Sequence, residues 1–172
     1  RALETLPEGY PRTDRPAPDF QLVNQSGETL TLESLRGRPV LLTFAYAHCQ
    51  TICPVIVRTV SYAAERLGDL QPAVVVVTLD PWRDTPSSLP NLTRSWKLDQ
   101  LPRTHVLSGE VADVQAVLEA YEVPSDRELS TGEITHPALV YLLDPEGTIA
   151  YTFNNPSAEW LVDASRRVSR SG

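Results

Sequence analysis

Cys49 and Cys53 stand in the run Phe44-Ala45-Tyr46-Ala47-His48-Cys49-Gln50-Thr51-Ile52-Cys53-Pro54, and they are the only cysteines of the 172-residue chain. On a helical turn, positions i and i+4 share a face about 5–6 Å apart, so two sulfurs at this spacing can grip one small ion. The same separation lies within disulfide range. Free backbone N–H groups at a helix start favour thiolate over thiol, and Pro54 suits a first turn because its missing N–H would have no partner there. Two plainer readings exist. The cysteines could be small buried hydrophobes, or could close a structural disulfide, but so short a loop adds little stability.

A metal site needs a third ligand, and His136 in Glu133-Ile134-Thr135-His136-Pro137 is the candidate. It directly precedes an apolar run, Ala138 to Leu143. If that run is a strand antiparallel to the central strands, His136 lies beside their C-terminal ends, where an α/β sheet opens its crevice and where CxxxC also sits. Two thiolates and an imidazole form a soft site that prefers Cu(I) and can take Cu(II). Zinc would leave a fourth position open. His48 adjoins Cys49 but is expected to point away from its neighbour's ligand, and His105 opens a short strand and reads as structural. Asp80 ends the second central strand on the crevice side and reads as an orienting group behind the ligands. Arg83 and Asp84 read as a local ion pair, and Trp82 as a loop residue near the site that could touch a partner.

The elements that must position these residues are legible in outline. Val40 to Tyr46 and Val74 to Leu79 are apolar on both faces, as buried central strands are. Between them, Ile52 to Leu67 has helical spacing and stops at Gly68, giving a strand–helix–strand crossover that joins parallel strands. Phe20 to Val23 and Glu28 to Leu32 flank Asn24-Gln25-Ser26-Gly27 as an N-terminal hairpin. Ser87 to Leu98 reads as a weaker helix, Thr104 to Leu107 as a short strand, and Ser108 as the cap of a helix carrying Val111, Val114, Leu118 and Tyr121. Ala138 to Leu143 and Ile149 to Phe153 flank Asp144-Pro145-Glu146-Gly147 as an antiparallel hairpin, and Ser157 caps a last helix. This order predicts an α/β domain of thioredoxin-like type: a central mixed β-sheet flanked by helices, with an N-terminal β-hairpin. Residues 1–18, polar and proline-rich, read as a tail or linker draped on or leading into a single domain at 19–172.

Composition narrows the function classes. Hydrophobic residues are 41% and charged residues 22%, an ordinary globular balance. A net charge of −7 argues against nucleic acid and anionic membrane as partners. Two cysteines do not make a disulfide scaffold. No methionine is present, so a soft-metal site has only thiolate and imidazole to draw on. A chain beginning at Arg1 reads as a processed or truncated product, from which a signal peptide or N-terminal anchor could have been removed.

The series FxYxHCxxxCP, then Leu79-Asp80-Pro81-Trp82-Arg83-Asp84-Thr85-Pro86, then His136 followed by Leu142-Leu143-Asp144-Pro145-Glu146-Gly147, resembles the SCO/SenC family from about Ala17 to Val168. The resemblance implies a thioredoxin-like domain outside the cytoplasm, facing the periplasm or cell exterior and held by one N-terminal membrane helix. It implies copper bound by Cys49, Cys53 and His136, with Asp80 matching the family's acidic residue. The implied role is a metallochaperone for the dinuclear CuA centre of cytochrome c oxidase. Its implied partners are the CuA-bearing subunit and a further protein that donates copper. Two departures stand out: Gln50-Thr51-Ile52 replaces a stretch that often carries proline and a carboxylate, and Thr135 precedes His136 where relatives often have Asp. The alternative function is a thiol–disulfide oxidoreductase for the acceptor's cysteines, with Cys49 attacking and Cys53 resolving. A third is a copper or redox sensor.

Overall fold

The computed structural model describes residues 5–49 and 52–171, the side chains of Arg170 and Ser171 excepted. An edge strand β1 (Arg15–Pro16) precedes the hairpin β2 (Gln21–Val23) and β3 (Thr29–Thr31). Asn24 makes that turn, its Oδ1 accepting the amides of Ser26 and Glu28 at 2.9 and 3.0 Å. The crossover follows as β4 (Val40–Ala45), α1 (Ile52–Arg66) and β5 (Ala73–Thr78). Every residue of β4 and β5 is buried, so these six-residue runs need no polar face.

Next come α2 (Leu89–Ser95), β6 (Thr104–Leu107) and α3 (Val111–Ala120). A two-residue pair, β7 (Asp126–Arg127) and β8 (Ile134–Thr135), leads to β9 (Leu139–Leu143), β10 (Thr148–Asn154) and α4 (Ala158–Ser171). The main sheet runs β1-β10-β9-β4-β5-β6. β4, β5 and β6 are parallel, while β9 lies antiparallel on β4 and β10 antiparallel on β9. Helices flank this mixed sheet, α1 packing on β4, on β5 and on α4, and the arrangement is thioredoxin-like.

The antiparallel placement of β9 is what the site requires. Thr43 pairs with Val140, so the chain entering β9 lies beside the chain leaving β4. Thr43 Oγ1 also donates to the Leu139 carbonyl at 2.7 Å.

Several expectations need correction. Order begins well before Phe20: Arg15 and Pro16 pair with Ile149 and Thr148, and Leu6 is buried. Proline is tolerated there because β1 is a sheet edge. Ser108 does not cap α3; Glu110 holds the N-cap position without a side-chain hydrogen bond, and the Ser108 hydroxyl donates to the Asp84 carbonyl. The stretch read as one helix from Ser87 to Leu98 is two turns of α2 between short 3-10 turns at Pro86–Ser88 and Leu98–Gln100. The β7–β8 hairpin lies in a stretch to which the sequence pattern assigns no element.

Candidate metal centre

Cys49 lies on the turn that leaves β4, where its amide donates to the Tyr46 carbonyl at 3.2 Å. Cys53 lies in the first turn of α1 and is fully buried, while Cys49 is half-buried. The Cys53 amide donates to Cys49 Sγ at 3.4 Å, so a free N–H of the helix start is aimed at the outer sulfur. That arrangement favours negative charge on Cys49. Cys49 and Cys53 form no disulfide. Gln50 and Thr51, two of the residues that depart from the usual CxxxC filling, lie outside the described residues.

His136 comes in from the other side. Its Nε2 lies 3.4 Å from Cys53 Sγ, and its Nδ1 lies 2.9 Å from the Pro137 carbonyl. A carbonyl only accepts, so this contact assigns the proton to Nδ1 and leaves the Nε2 lone pair facing the sulfurs. Burial lowers the His136 pKa below its ordinary value and so favours the neutral imidazole, while the Pro137 contact opposes that shift. Burial pushes the Cys53 thiol far up, with Cys49 acting in the same direction and the Tyr46 amide against it. One ligand-ready nitrogen therefore faces a thiol that holds its proton until something replaces it.

The two sulfurs and one His136 nitrogen all lie within 4.8 Å of one another. Among the described residues they form the cluster of histidine, cysteine and carboxylate side chains with the closeness a metal needs. The donors fit a soft ion: two sulfurs and an imidazole, with no carboxylate among them. A crevice of about 500 Å³, walled by Cys49, His136, His48, Ile52 and Glu133, opens onto it. His48 is exposed and borders this crevice without joining the cluster. His105 stands elsewhere, on β6, its Nδ1 3.3 Å from Asn24 Nδ2.

The acidic residues are arranged differently from the sequence expectation. Arg83 pairs with Asp80, not with Asp84. Asp80 is fully buried, and the guanidinium it holds donates to the Gly132 carbonyl at the tip of the β7–β8 hairpin. Gly132 has φ +76°, a backbone shape that favours glycine, and a Cβ there would displace that guanidinium. Asp80 thus acts on the segment leading to His136 through Arg83. Asp84 is buried and turns the other way: its Oδ2 accepts the Ala47 amide at 3.1 Å and the Thr78 hydroxyl at 2.8 Å. It braces the turn that carries Cys49. Trp82 is 41% exposed, with the Arg127 guanidinium 4.5 Å over its ring.

Tyr46 was read only as the end of a strand. Its hydroxyl accepts the Ile134 amide at 2.8 Å and donates to the Ile134 carbonyl at 3.1 Å, and its ring stands edge-on to the His136 imidazole at 5.8 Å. The signal available in the sequence was Ile134, one large apolar residue within the polar stretch Ser130 to Thr135.

Known proteins carry the same arrangement of chain. The chain is 30% identical over 138 residues to the mitochondrial protein SCO2 of Saccharomyces cerevisiae, covering 74% of this chain and 44% of that protein. It is 30% identical over 162 residues to the mitochondrial SCO2 homolog of Bos taurus, covering 87% and 58%. The chain thus spans about half the length of these relatives. Among solved structures, ScoI of Bradyrhizobium japonicum with copper bound aligns with TM-score 0.74 and 30% identity, over 90% of this chain and 98% of that one. ScoI of Arabidopsis thaliana with copper bound aligns with TM-score 0.81 over 91% and 99%; at 22% identity it speaks to the fold. The SCO1/SenC family model matches residues 9–167, a span that takes in the strapped N-terminal segment, the CxxxC turn and the His136 strand, and the chain belongs to the SCO1/SenC family.

Proposed function

We propose that this chain binds copper through Cys49, Cys53 and His136 and delivers it during assembly of the CuA centre of cytochrome c oxidase. The observation that carries the reading is the cluster itself: two cysteines from one turn and a histidine 83 residues beyond Cys53, with donor atoms within 4.8 Å of one another. Binding displaces the Cys53 proton that burial holds in place, so loading releases protons. His136 contributes a neutral nitrogen at no cost of deprotonation. Cys49 stands at the mouth of the crevice, where an acceptor's ligands can reach the ion and exchange one at a time. Asp80 supports the His136 side through Arg83 and Gly132. The copper-bound relative from Bradyrhizobium japonicum supports the choice of metal.

Location and partners follow from the same reading. The acceptor is the CuA-bearing subunit, the source of the ion is another copper protein, and the domain works outside the cytoplasm from a membrane anchor. Among the described residues no helix is long and apolar enough to cross a membrane.

A second reading rests on the unequal burial of the cysteines. Half-buried Cys49 is placed to attack an acceptor disulfide, and buried Cys53 to resolve the mixed disulfide; the chain's thiols are oxidised as the acceptor's are reduced. Its role would be to keep the acceptor's cysteines ready for copper. One variant separates the two. His136→Ala should weaken Cu(I) binding by about tenfold or more, read by competition with a chromophoric chelator, while leaving reduction of an oxidised CuA-type fragment intact. Unchanged Cu(I) affinity would remove the metal-site reading and leave the reductase.

A further inference from the structure

The two halves of the copper cluster sit on separate pieces of chain, and one residue is tied to both. The Tyr46 carbonyl accepts the Cys49 amide, and the Tyr46 backbone amide favours negative charge on the Cys53 sulfur. These are backbone contacts that any residue at position 46 supplies. The side chain does something else. Tyr46 is 3% exposed, and its hydroxyl is shared between both backbone groups of Ile134, two residues before His136. A phenylalanine would keep the ring beside the imidazole and leave a buried N–H and C=O unpaired.

The segment that needs this fastening is weak on its own. β7 and β8 are two residues each, and an isolated pair so short is not stable. Arg83 secures the tip at Gly132, but Gly132 is four residues from His136 and on the exposed side. Tyr46 secures the base, from inside the core, and Ile134 is buried beside it.

We propose that the Tyr46 hydroxyl is a positioning group for the metal site, fixing where His136 stands relative to the two sulfurs by holding the backbone of Ile134. This rests on the copper reading above. Tyr46 touches no ion; it acts through His136. Its removal should therefore cost affinity only while His136 is present.

The test is a double-mutant cycle on the reduced full chain with Cu(I) as the probe, using Tyr46→Phe, His136→Ala and the pair. Tyr46→Phe should weaken Cu(I) about tenfold when His136 is present, in the range usual for loss of an outer hydrogen bond to a metal ligand, and less than about twofold in the His136→Ala background. The sulfur-to-copper absorption band of the Cu(II) form should shift in Tyr46→Phe and stay unmoved by the substitution when His136 is absent. Equal losses in both backgrounds would mean that the hydroxyl serves the fold or the sulfurs, and would overturn the proposal. So would unchanged affinity in Tyr46→Phe. If His136→Ala itself binds Cu(I) like the parent, the copper reading fails first and this one with it. A measurement independent of any variant is hydrogen exchange of the copper-free parent: the Ile134 amide should be protected like those of β4. Exchange at the rate of an open loop would overturn the proposal by itself.

Discussion

Asp84 puts a carboxylate into the core with its Oδ2 shared between the Ala47 amide and the Thr78 hydroxyl. Burial raises its pKa, and those two hydrogen bonds oppose the shift. The group is valuable as an acceptor and costly as a charge. Asparagine keeps an acceptor oxygen and removes the buried charge, while alanine leaves an amide and a hydroxyl without a partner. Asp84→Ala should therefore lower stability by about 1–3 kcal/mol in urea unfolding, and Asp84→Asn by less than half of that. Equal losses would show that the charge, not the hydrogen-bond acceptor, holds the turn before Cys49. The neighbouring Asp80 differs because Arg83 neutralises it. Two carboxylates four positions apart thus brace opposite sides of the crevice, Asp84 the cysteine turn and Asp80 the histidine hairpin.

Among the elements, β6 ties the main sheet to the β2–β3 hairpin through His105 and Asn24. His105 is partly buried, and burial lowers its pKa below the ordinary 6.5, with Glu28 pulling the other way. The folded state prefers the neutral ring. Below pH 6.5 the unfolded chain takes up a proton that the folded chain resists, so this contribution is present above 6.5 and is lost as pH falls through the lowered value. The urea midpoint of the copper-free protein should drop between pH 7 and pH 5, and the drop should shrink in His105→Gln. It will not vanish, because His136 shifts in the same direction. A drop undiminished in the variant would refute a buried neutral His105. The same elements show what was legible beforehand. β4, β5 and α1 announce themselves because their apolar patterns reflect burial, on both faces of the strands and along one face of the helix. The grouping of Cys49, Cys53 and His136 was legible because few residue types can hold a soft ion. β7 and β8 were not: two polar-rich dipeptides carry no period, and what holds them is a hydroxyl 88 residues earlier in the chain. The Arg83 partner was misread because adjacency in sequence suggested Asp84, whereas the turn after β5 presents the guanidinium to Asp80, three residues back.

At the scale of the molecule, the mixed sheet is what converts distant residues into one site, and the N-terminal segment is built onto its outer edge. Tyr10 packs among Tyr151, Phe153 and Trp160, with ring centroids 6.1, 5.3 and 5.2 Å away. The Leu6 amide donates to Asp163 at 3.0 Å, Arg167 donates to the carbonyls of Leu6 and Pro7, and the Leu6 side chain is 1% exposed. A linker has no reason to bury a leucine or to satisfy its own backbone with side chains of α4. These contacts also brace α4, which in turn packs on α1, the helix that begins at the cysteines. The two views of residues 5–18 differ in a measurable way. A truncated side chain in a linker changes stability by less than about 0.5 kcal/mol, whereas a leucine lost from a core costs about 2–5 kcal/mol. Leu6→Ala should fall in the second range in urea unfolding of the copper-free protein. A loss in the first range would return the segment to the status of a tail, and would leave α4 held by its packing on α1 and the sheet alone.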